Sequence, residues 1–539
     1  MLDKSKRGWW KSAVLYQVYP KSFQDTNGDG IGDLKGVIAR LDYLEKLGVD
    51  GIWLSPVFQS PQYDNGYDIS DYRAIDPMFG DVAVMEELIA EAKKRGISII
   101  LDLVLNHSSS FHPWFLEAKK SRDNPYHDYY VWRDGEPGTP PNDMRAVFGG
   151  SAWEYVPELG QYYFHQFVPE QPDLNWENPK VREELYDMIR FWVNKGAGGF
   201  RLDVIDQIAK EPDHFITASG PRLHEFLREL SREAFISEGL VTVGEAWSAN
   251  VERAKLFSAP DGSEMSMVFQ FEHICLTFEG EKWNPVKLNL LALKDCMERW
   301  QQGLFLSGWN SLFLENHDLP RIVSVWGDEG EYREASAKML AIFLHGMQGT
   351  PYIYQGQELG MTNVRWPIEK YDDIEIRNFY AEATAKGMAP EEALAAIHAR
   401  GRDNARTPMQ WTAGENAGFT TGTPWLPVNE NHKSINAESA LADENSIFYT
   451  YQKLIALRKA LPVIAEGRFA LIDRDSDKVF AYRRDLDNAH LLVVCSFVKE
   501  NVPFALPAEF AGGEVLISNY GQPAGTLRPF EAYMMLKKD

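Results

Sequence analysis

Four short apolar runs of this chain end on carboxylate or imidazole side chains. They occupy residues 102–107, 199–203, 243–247 and 313–318, and they carry His107, Asp203, Glu245 and Asp318 at or near their ends. A single carboxylate in such a place is usually a helix cap or a loop anchor. Four runs of this kind in one chain indicate a shared site instead, where carboxyl groups can exchange protons with a substrate or attack it.

The elements around these runs alternate between helical and extended patterns. Apolar residues recur at helical spacing over 34–44, 85–92 and 181–192, and a glycine and a β-rich run follow each of the three. The sequence predicts eight strands, at residues 14–18, 51–54, 97–101, 199–202, 241–244, 267–271, 312–314 and 352–354. Eight parallel strands with intervening helices fit an α/β fold of the closed (β/α)8 TIM barrel type, although a doubly wound sheet shows the same alternation. In a barrel, catalytic groups cluster at the carboxyl ends of the strands, where the four runs end.

The spacing of the strands divides the chain into further units. Residues 1–107 form the first part of the barrel, and the Pro-, Gly- and aromatic-rich segment 108–172 is too long for a plain loop, which predicts an inserted subdomain. Residues 173–462 complete the barrel and include a second irregular stretch over about 361–425, within which residues 391–400 have a helical pattern. From 463 to 539 the pattern changes to alternation, which predicts a C-terminal antiparallel β domain.

The composition favours a small neutral ligand such as a sugar. A net charge of −23 would repel a phosphate backbone, so nucleic acid is not expected as a partner. No membrane partner is expected either, because no stretch is apolar enough to span a bilayer. Three cysteines are an odd number, which argues against a disulfide framework, and the start of the chain has no leader-like apolar run. We therefore expect a cytoplasmic protein.

In combination, the four runs resemble the conserved regions of the α-amylase family, glycoside hydrolase family 13. Segment 171–175 resembles a further signature of that family, and the resemblance covers about residues 9–460. It implies that Asp203 is a nucleophile, Glu245 a general acid/base and Asp318 a carboxylate that grips a distorted sugar. A retaining glycosidase of this kind needs one ionised and one protonated carboxyl group, roughly 5 to 5.5 Å apart.

The resemblance implies other substrate contacts around the three carboxylates. It makes His107 and His317 donors to sugar hydroxyls, and it makes Trp247 a platform for the leaving sugar. Arg201 lies two residues before Asp203, on the same strand face, and would help to keep the nucleophile anionic. Desolvation beside Trp247 and repulsion from acidic neighbours would keep a proton on the general acid.

Segment 64–68, Asp-Asn-Gly-Tyr-Asp, resembles the glucosidase branch of the family. In that branch the residues that match Asp64 and Tyr67 line the terminal glucose site, and Arg402 matches their partner. An ion pair between Asp64 and Arg402 would close the site beyond the terminal glucose, so that a chain end is selected. Arg406 is the rival for the pairing arginine, and a surface turn is the alternative interpretation of Asp64.

The predicted bond preference depends on the residue after the nucleophile. Val204 matches family members that act on α-1,6 linkages, and segment 245–247 resembles the dextran glucosidase subgroup. We expect an exo-acting, retaining α-glucosidase that hydrolyses terminal α-1,6-linked glucose from isomaltose, isomaltooligosaccharides or dextran ends. The alternative for Val204 is a β-branched strand residue that packs the barrel.

Other activities share the same catalytic set. An α-1,4-glucosidase, a sucrose isomerase or transglucosidase, and a trehalose-6-phosphate hydrolase differ from this prediction only in the control of the second sugar or acceptor. A non-catalytic interaction module on the same fold is a more distant alternative, because the chain keeps all three carboxylates.

Segment 25–33, Asp-Thr-Asn-Gly-Asp-Gly-Ile-Gly-Asp, places oxygen side chains at alternate positions between glycines. This pattern suits a hard cation. The same loop in related glucosidases binds Ca2+, which implies a structural site formed by Asp25, Asn27, Asp29, the Ile31 carbonyl and Asp33. A loop closed by Asx turns without metal is the alternative.

Overall fold

The computed structural model describes residues 2–539 and contains the closed barrel that the strand count predicts. Its parallel strands are β1 (Leu15–Val18), β2 (Gly51–Leu54), β3 (Ser98–Val104), β4 (Gly199–Asp203), β5 (Val241–Glu245), β6 (Met267–Phe269), β7 (Ser311–Leu312) and β8 (Thr350–Tyr354). They follow the order β6-β5-β4-β3-β2-β1-β8-β7, and a parallel bridge between Val268 and Asn310 joins β6 to the start of β7. The sheet therefore closes on itself, which excludes the doubly wound alternative.

Helices separate the strands and cover the outside of the barrel. They are Leu34–Ala39 and Leu41–Leu47 after β1, Val82–Lys94 after β2, Pro179–Asn194 after β3, Leu223–Ala234 after β4, Val251–Phe257 after β5, Leu290–Gly303 after β6, Arg333–His345 after β7 and Ile447–Ala460 after β8. Side-chain caps start several of them: Asp81 accepts a hydrogen bond from Val84 N, and Asn178 accepts one from Lys180 N. Such caps satisfy backbone N–H groups that a helix leaves free at its start.

Two of the observed strand ends differ from the predicted ones in a way that affects the site. Strand β3 continues to Val104, because its last residue still pairs with Asp203 of β4. Strand β7 ends at Leu312, so Asp318 lies on a loop and not directly at a strand end. Strand β4 begins at Gly199, where a Cβ atom would lie 2.1 Å from the carbonyl oxygen of Val241, so the close approach of β5 requires glycine there.

Several further elements surround the carboxyl ends of the strands. Between β2 and β3 a two-stranded ladder joins Phe58–Gln59 to Asp71–Ile75. After β3 the chain forms helix Pro113–Ala118 and a three-stranded antiparallel sheet of Trp132–Asp134, Trp153–Val156 and Gln161–Phe164. After β8 come helices Ile374–Ala385, Pro390–Arg400 and Asp403–Arg406. Only the second of these three helices was predicted from the sequence.

The C-terminal part is an antiparallel sheet, as predicted. Its strands are β9 (Arg468–Ile472), β10 (Val479–Leu486), β11 (Ala489–Ser496), β12 (Glu514–Ser518) and β13 (Ala532–Lys538), in the order β9-β10-β11-β13-β12. One face packs on the barrel helix Arg333–His345, where the rings of Phe343 and Phe480 are 4.9 Å apart and Tyr482 donates a hydrogen bond to the Phe343 carbonyl. Within residues 2–539, no helix has both the length and the apolar character that a membrane crossing requires.

Candidate active site

The three carboxylates singled out in the sequence face one cavity at the carboxyl ends of the barrel strands. Asp203 is the last residue of β4, Glu245 is the last residue of β5, and Asp318 follows β7. The cavity has a volume of about 350 Å³, a size suited to a small ligand. Nine of the residues predicted from the sequence line it: Asp64, Tyr67, His107, Asp203, Val204, Glu245, Trp247, Asp318 and Arg402.

Arg201 lies beneath this cavity and binds both Asp203 and Glu245. Its Nη1 is 2.6 Å from Asp203 Oδ1, and its Nη2 contacts Glu245 Oε2. Burial raises the pKa of Asp203 well above its usual range, Arg201 opposes this rise, and the charges of Glu245 and Asp102 add to it. Arg201 therefore serves both carboxyl groups and not only the expected nucleophile.

The side chain of Trp247 orients Glu245. Its Nε1 donates a hydrogen bond to Glu245 Oε1 at 2.9 Å, and its ring stacks on Phe271 with centroids 3.8 Å apart. The indole is still 45% exposed and lines the cavity. Trp247 can therefore fix the general acid/base and also offer an apolar surface to a group next to it.

Val204 lies one residue beyond β4 and lines the cavity. Its φ is 34°, in the left-handed region, which a β-branched residue adopts only at a cost of about 1 to 3 kcal/mol. Its backbone N–H donates to Glu245 Oε2 at 3.3 Å. Val204 thus lies outside strand β4 and at the cavity, which favours a contact with substrate over the interpretation as a strand residue that packs the barrel.

Two arginines hold Asp318. Its Oδ1 accepts hydrogen bonds from Arg406 Nη2 at 2.7 Å and from Arg402 Nη1 at 3.3 Å. Burial opposes ionisation of Asp318, but the charges of Arg402 and Arg406 hold its pKa well below the usual range. Asp318 is therefore a permanently charged carboxylate in the wall of the cavity.

Arg402 is also the arginine beside Asp64. Its Nη2 is 3.3 Å from Asp64 Oδ1, whereas Arg406 reaches Asp318 and the His317 carbonyl. Asp64 is buried, which excludes the surface-turn alternative. Burial raises the pKa of Asp64 to about 7, although Arg402 acts in the opposite direction.

The two histidines lie in different places. His107 lines the cavity, accepts a hydrogen bond from Asn106 Nδ2 and donates one from Nε2 to the Tyr67 carbonyl at 3.1 Å. His317 lies behind the wall, where Gln17 Nε2 donates to its Nδ1 at 2.8 Å and its Nε2 is 2.6 Å from the Tyr67 hydroxyl. Burial lowers the pKa of His107 to about 4 and that of His317 to about 3, so both rings are neutral. Their role as donors to sugar hydroxyls stays a prediction.

Several functional positions were missed by the sequence reasoning. Asp102 accepts hydrogen bonds from Arg201, Trp53 and Tyr67 at 3.0 to 3.1 Å, and it starts the run that ends on His107, so that run held the signal. The cavity walls also include Phe148, Phe167, Phe278, Lys282, Glu375 and Arg400. These six come from long connections without a recognisable motif.

Loop 25–33 is closed by hydrogen bonds between its own side chains and backbone. Asp25 Oδ1 accepts from Asn27 N and Gly28 N at 2.9 Å, Asn27 Oδ1 accepts from Asp29 N at 2.8 Å, and Asp33 Oδ2 accepts from Thr26 N at 2.8 Å. The side-chain atoms of this loop that could bind a cation are oxygen atoms, which Ca2+ prefers as ligands. Across residues 2–539, however, no three His, Cys, Asp or Glu side chains come together as a metal-binding group. Calcium at this loop stays a prediction.

Arg402→Lys is expected to raise KM for a glucoside at least about tenfold, because a single ammonium cannot bridge Asp64 and Asp318 as a planar guanidinium does. Steady-state kinetics on purified enzyme would measure it. Arg400→Lys is the matched control, since Arg400 lines the same cavity but donates to Thr277 instead. Equal KM values for the two variants would contradict the role assigned to Arg402.

Comparison with known proteins gives the family. The model of the alpha-amylase catalytic domain matches residues 17–467. The chain is 52% identical over 553 residues to an oligo-1,6-glucosidase of Parageobacillus thermoglucosidasius, with 98% of each covered. It is 54% identical over 518 residues to a glucan 1,6-alpha-glucosidase of Streptococcus pneumoniae serotype 4, with 95% of each covered. The crystal structure of trehalose-6-phosphate hydrolase from Bacillus licheniformis matches with a TM-score of 0.94 and 46% identity, covering 98% of this chain and all of that one (100%). The family model matches most of the chain, and the predicted barrel is present. The chain therefore belongs to the α-amylase family of glycoside hydrolases.

Proposed function

We propose that this chain is an exo-acting, retaining α-glucosidase that releases terminal α-1,6-linked glucose from isomaltose, isomaltooligosaccharides or dextran ends. The observation that carries the proposal is the pair Asp203 and Glu245, bound to one guanidinium at the ends of adjacent strands and facing the same cavity as Asp318. Asp203 attacks the anomeric carbon while Glu245 protonates the leaving oxygen, and Glu245 then acts as base for the water that hydrolyses the glucosyl-enzyme. Asp318, with its low pKa, binds sugar hydroxyls as an anion.

The contact between Asp64 and Arg402 supports an exo mode of action. Both side chains are buried and line the cavity together, so they can close it beyond a single glucose. A wall of this kind admits a chain end and rejects an internal residue.

Two features of the cavity favour a neutral α-1,6-linked substrate. Val204 contributes an apolar branched residue to the cavity wall, and its backbone N–H contacts Glu245. Lys282, which lines the same cavity, forms an ion pair with Glu375 at 2.5 Å and is therefore not a free cation for a phosphate. The relatives with the names oligo-1,6-glucosidase and glucan 1,6-alpha-glucosidase match this chain over nearly its whole length.

A substrate panel with analysis of the first product tests this function. Isomaltose is expected to be cleaved with a higher kcat/KM than maltose, sucrose or trehalose 6-phosphate, and NMR during the first turnovers should show α-glucose before mutarotation. Cleavage of maltose with isomaltose left intact would contradict the proposed linkage. Release of β-glucose would contradict the retaining mechanism.

Val204→Thr is expected to lower the ratio of kcat/KM for isomaltose to that for maltose on the order of tenfold, because a polar group replaces an apolar wall of the same shape. Both kcat/KM values are measured on the same preparation. Val147→Thr makes the same change at another valine that lines the cavity and should leave the ratio unchanged. A ratio that moves equally in both variants would show that the position of Val204 has no special role.

We also propose that Ca2+ binds loop 25–33 and stabilises the fold without a part in catalysis. The residues implied as ligands are Asp25, Asn27, Asp29, the Ile31 carbonyl and Asp33, and all of them offer oxygen. Excess Ca2+ is expected to raise Tm by about 2 °C or more relative to enzyme with EDTA, while kcat of folded enzyme stays the same. Asp29→Ala should abolish this difference. Equal Tm values for the native enzyme in Ca2+ and in EDTA would favour the loop closed by Asx turns alone.

The expected cytoplasmic location is likewise a proposal. It is supported by Cys275, Cys296 and Cys495, which are all free thiols. Chains of this size with only unpaired cysteines are typical of reducing compartments.

A further inference from the structure

We propose that Asp373 is a positioning residue that holds Arg402 and Arg406 in place and, through them, the carboxylates of Asp64 and Asp318 that face the terminal glucose. Asp373 does not line the cavity, and no motif of the sequence points to it. This inference rests on the proposed function in one respect only, which is that the bound sugar is a terminal glucose.

One oxygen atom of Asp373 anchors both arginines. Its Oδ2 accepts a hydrogen bond from Arg402 Nε at 2.7 Å and another from Arg406 Nη1 at 2.8 Å. The two guanidinium groups then extend toward the cavity with their remaining nitrogens. Arg402 reaches Asp64 and Asp318, and Arg406 reaches Asp318.

The lengths of these contacts show which side holds Arg402. Its bond to Asp373 is 2.7 Å, but its contacts with Asp64 and Asp318 are both 3.3 Å. The guanidinium is thus fixed from behind, while the N–H groups toward the cavity are only weakly engaged. N–H groups that make only long contacts, on a guanidinium whose position is fixed, can bind substrate oxygens with little reorganisation.

Charge balance gives a second reason for Asp373. Arg402 and Arg406 are buried side by side, and two buried like charges repel each other unless an anion lies between them. Asp373 is itself fully buried and contacts both. Burial opposes its ionisation, but Arg402, Arg406 and Lys282 hold its pKa below the usual range, so Asp373 supplies such an anion behind the arginines, as Asp318 does on the cavity side.

Hydrogen bonds hold the backbone around Asp373 on both sides of the residue. Its Oδ1 caps helix Ile374–Ala385 by accepting from Ile376 N at 3.1 Å. Its own N–H and that of Asp372 donate to Asp403 Oδ2 at 3.1 and 2.8 Å. Asp403 belongs to the same short helix as Arg406, so these hydrogen bonds connect Asp373 to the helix that carries one of its two arginine partners.

The test is Asp373→Asn, which keeps the shape of the side chain and removes its charge. We expect kcat/KM for isomaltose to fall on the order of 10²-fold, and Kd for the glucose-shaped iminosugar 1-deoxynojirimycin, measured by calorimetry, to rise about tenfold or more. Asp372→Asn is the neighbouring control, because Asp372 pairs with Arg377 at the surface. Asp403→Asn is the control for a purely structural loss, because its carboxylate binds backbone N–H groups and neither guanidinium. Asp372→Asn should bind the iminosugar like the native enzyme, and Asp403→Asn should weaken this binding less than Asp373→Asn does.

Iminosugar binding by Asp373→Asn that equals the native value, or that falls only as far as in Asp403→Asn, would overturn the proposal. If Asp373→Asn does not fold, Asp373→Glu decides: it keeps the charge but lengthens the arm by one methylene, and an unchanged Kd in this variant would also overturn the proposal. Failure of the native enzyme to cleave isomaltose would count against the proposed function alone, since iminosugar binding reports the arginines directly.

Discussion

Asp203→Gly is expected to lower kcat for isomaltose by about 10⁴-fold or more while the protein stays folded. The reason is that the variant loses the group that forms the bond to the anomeric carbon, and water in its place is a weaker and less well-oriented nucleophile. Stability should not fall greatly, because the buried Arg201 keeps Asp102 and Glu245 as partners when Asp203 is removed.

Azide rescue identifies the lost group as a nucleophile. With α-glucosyl fluoride, which needs no proton on its leaving group, azide can enter the space below the ring and attack from the side opposite to fluoride. The expected product of Asp203→Gly is therefore β-glucosyl azide, detected by NMR. Asp206→Asn is the matched control, because Asp206 is buried three residues along and binds Ser248 outside the cavity. Residual activity of Asp203→Gly near that of the control would contradict the assignment of the nucleophile.

Glu245→Gln is expected to lower kcat/KM for isomaltose on the order of 10³-fold but to affect an aryl α-glucoside with a good leaving group much less. A sugar alkoxide cannot leave without a proton, whereas 4-nitrophenolate can. The amide also cannot act as base in the second step, so the glucosyl-enzyme should accumulate, and stopped-flow absorbance should show a burst of nitrophenolate followed by slow turnover.

Two further measurements separate this role from simple binding. In Glu245→Ala, azide should react with the glucosyl-enzyme to give α-glucosyl azide, the opposite anomer to that expected from Asp203→Gly. Glu375→Gln changes another glutamate of the same cavity and should show no burst, because Glu375 pairs with Lys282 and not with the leaving oxygen. Equal losses on isomaltose and on the aryl glucoside would contradict the assignment of Glu245 as general acid.

Local patterns predicted most of the elements that carry the site. The apolar faces over 34–44, 85–92 and 181–192, each followed by glycine, correspond to observed barrel helices, because burial of one helical face and a reversal of the chain after it are local requirements. The positions of Asp203 and Glu245 at the ends of β4 and β5 follow from the same reasoning, since both residues come directly after an apolar strand. Helix Ile374–Ala385 was missed, and it brings Asp373 and Glu375 to the site. Only Ile376 and Ala383 of this helix are buried, so no clear apolar periodicity marks it in the sequence.

Taken alone, the sequence determined the barrel, the antiparallel C-terminal sheet, the family and the set of carboxylates, because periodicity and short motifs encode elements and the residues at their ends. Tertiary structure decided which charges meet. In the folded chain Arg402, and not Arg406, lies next to Asp64, and Arg201 binds two carboxyl groups. Val204 adopts a left-handed backbone conformation at the cavity. Asp373 contacts both arginines from behind. Apart from Arg201 and Asp203, which are 2 positions apart, the residues that meet are separated by 29 to 338 positions along the chain, as Arg402 is from Asp373 and from Asp64. Only the closed barrel with its insertions brings such residues within hydrogen-bond distance.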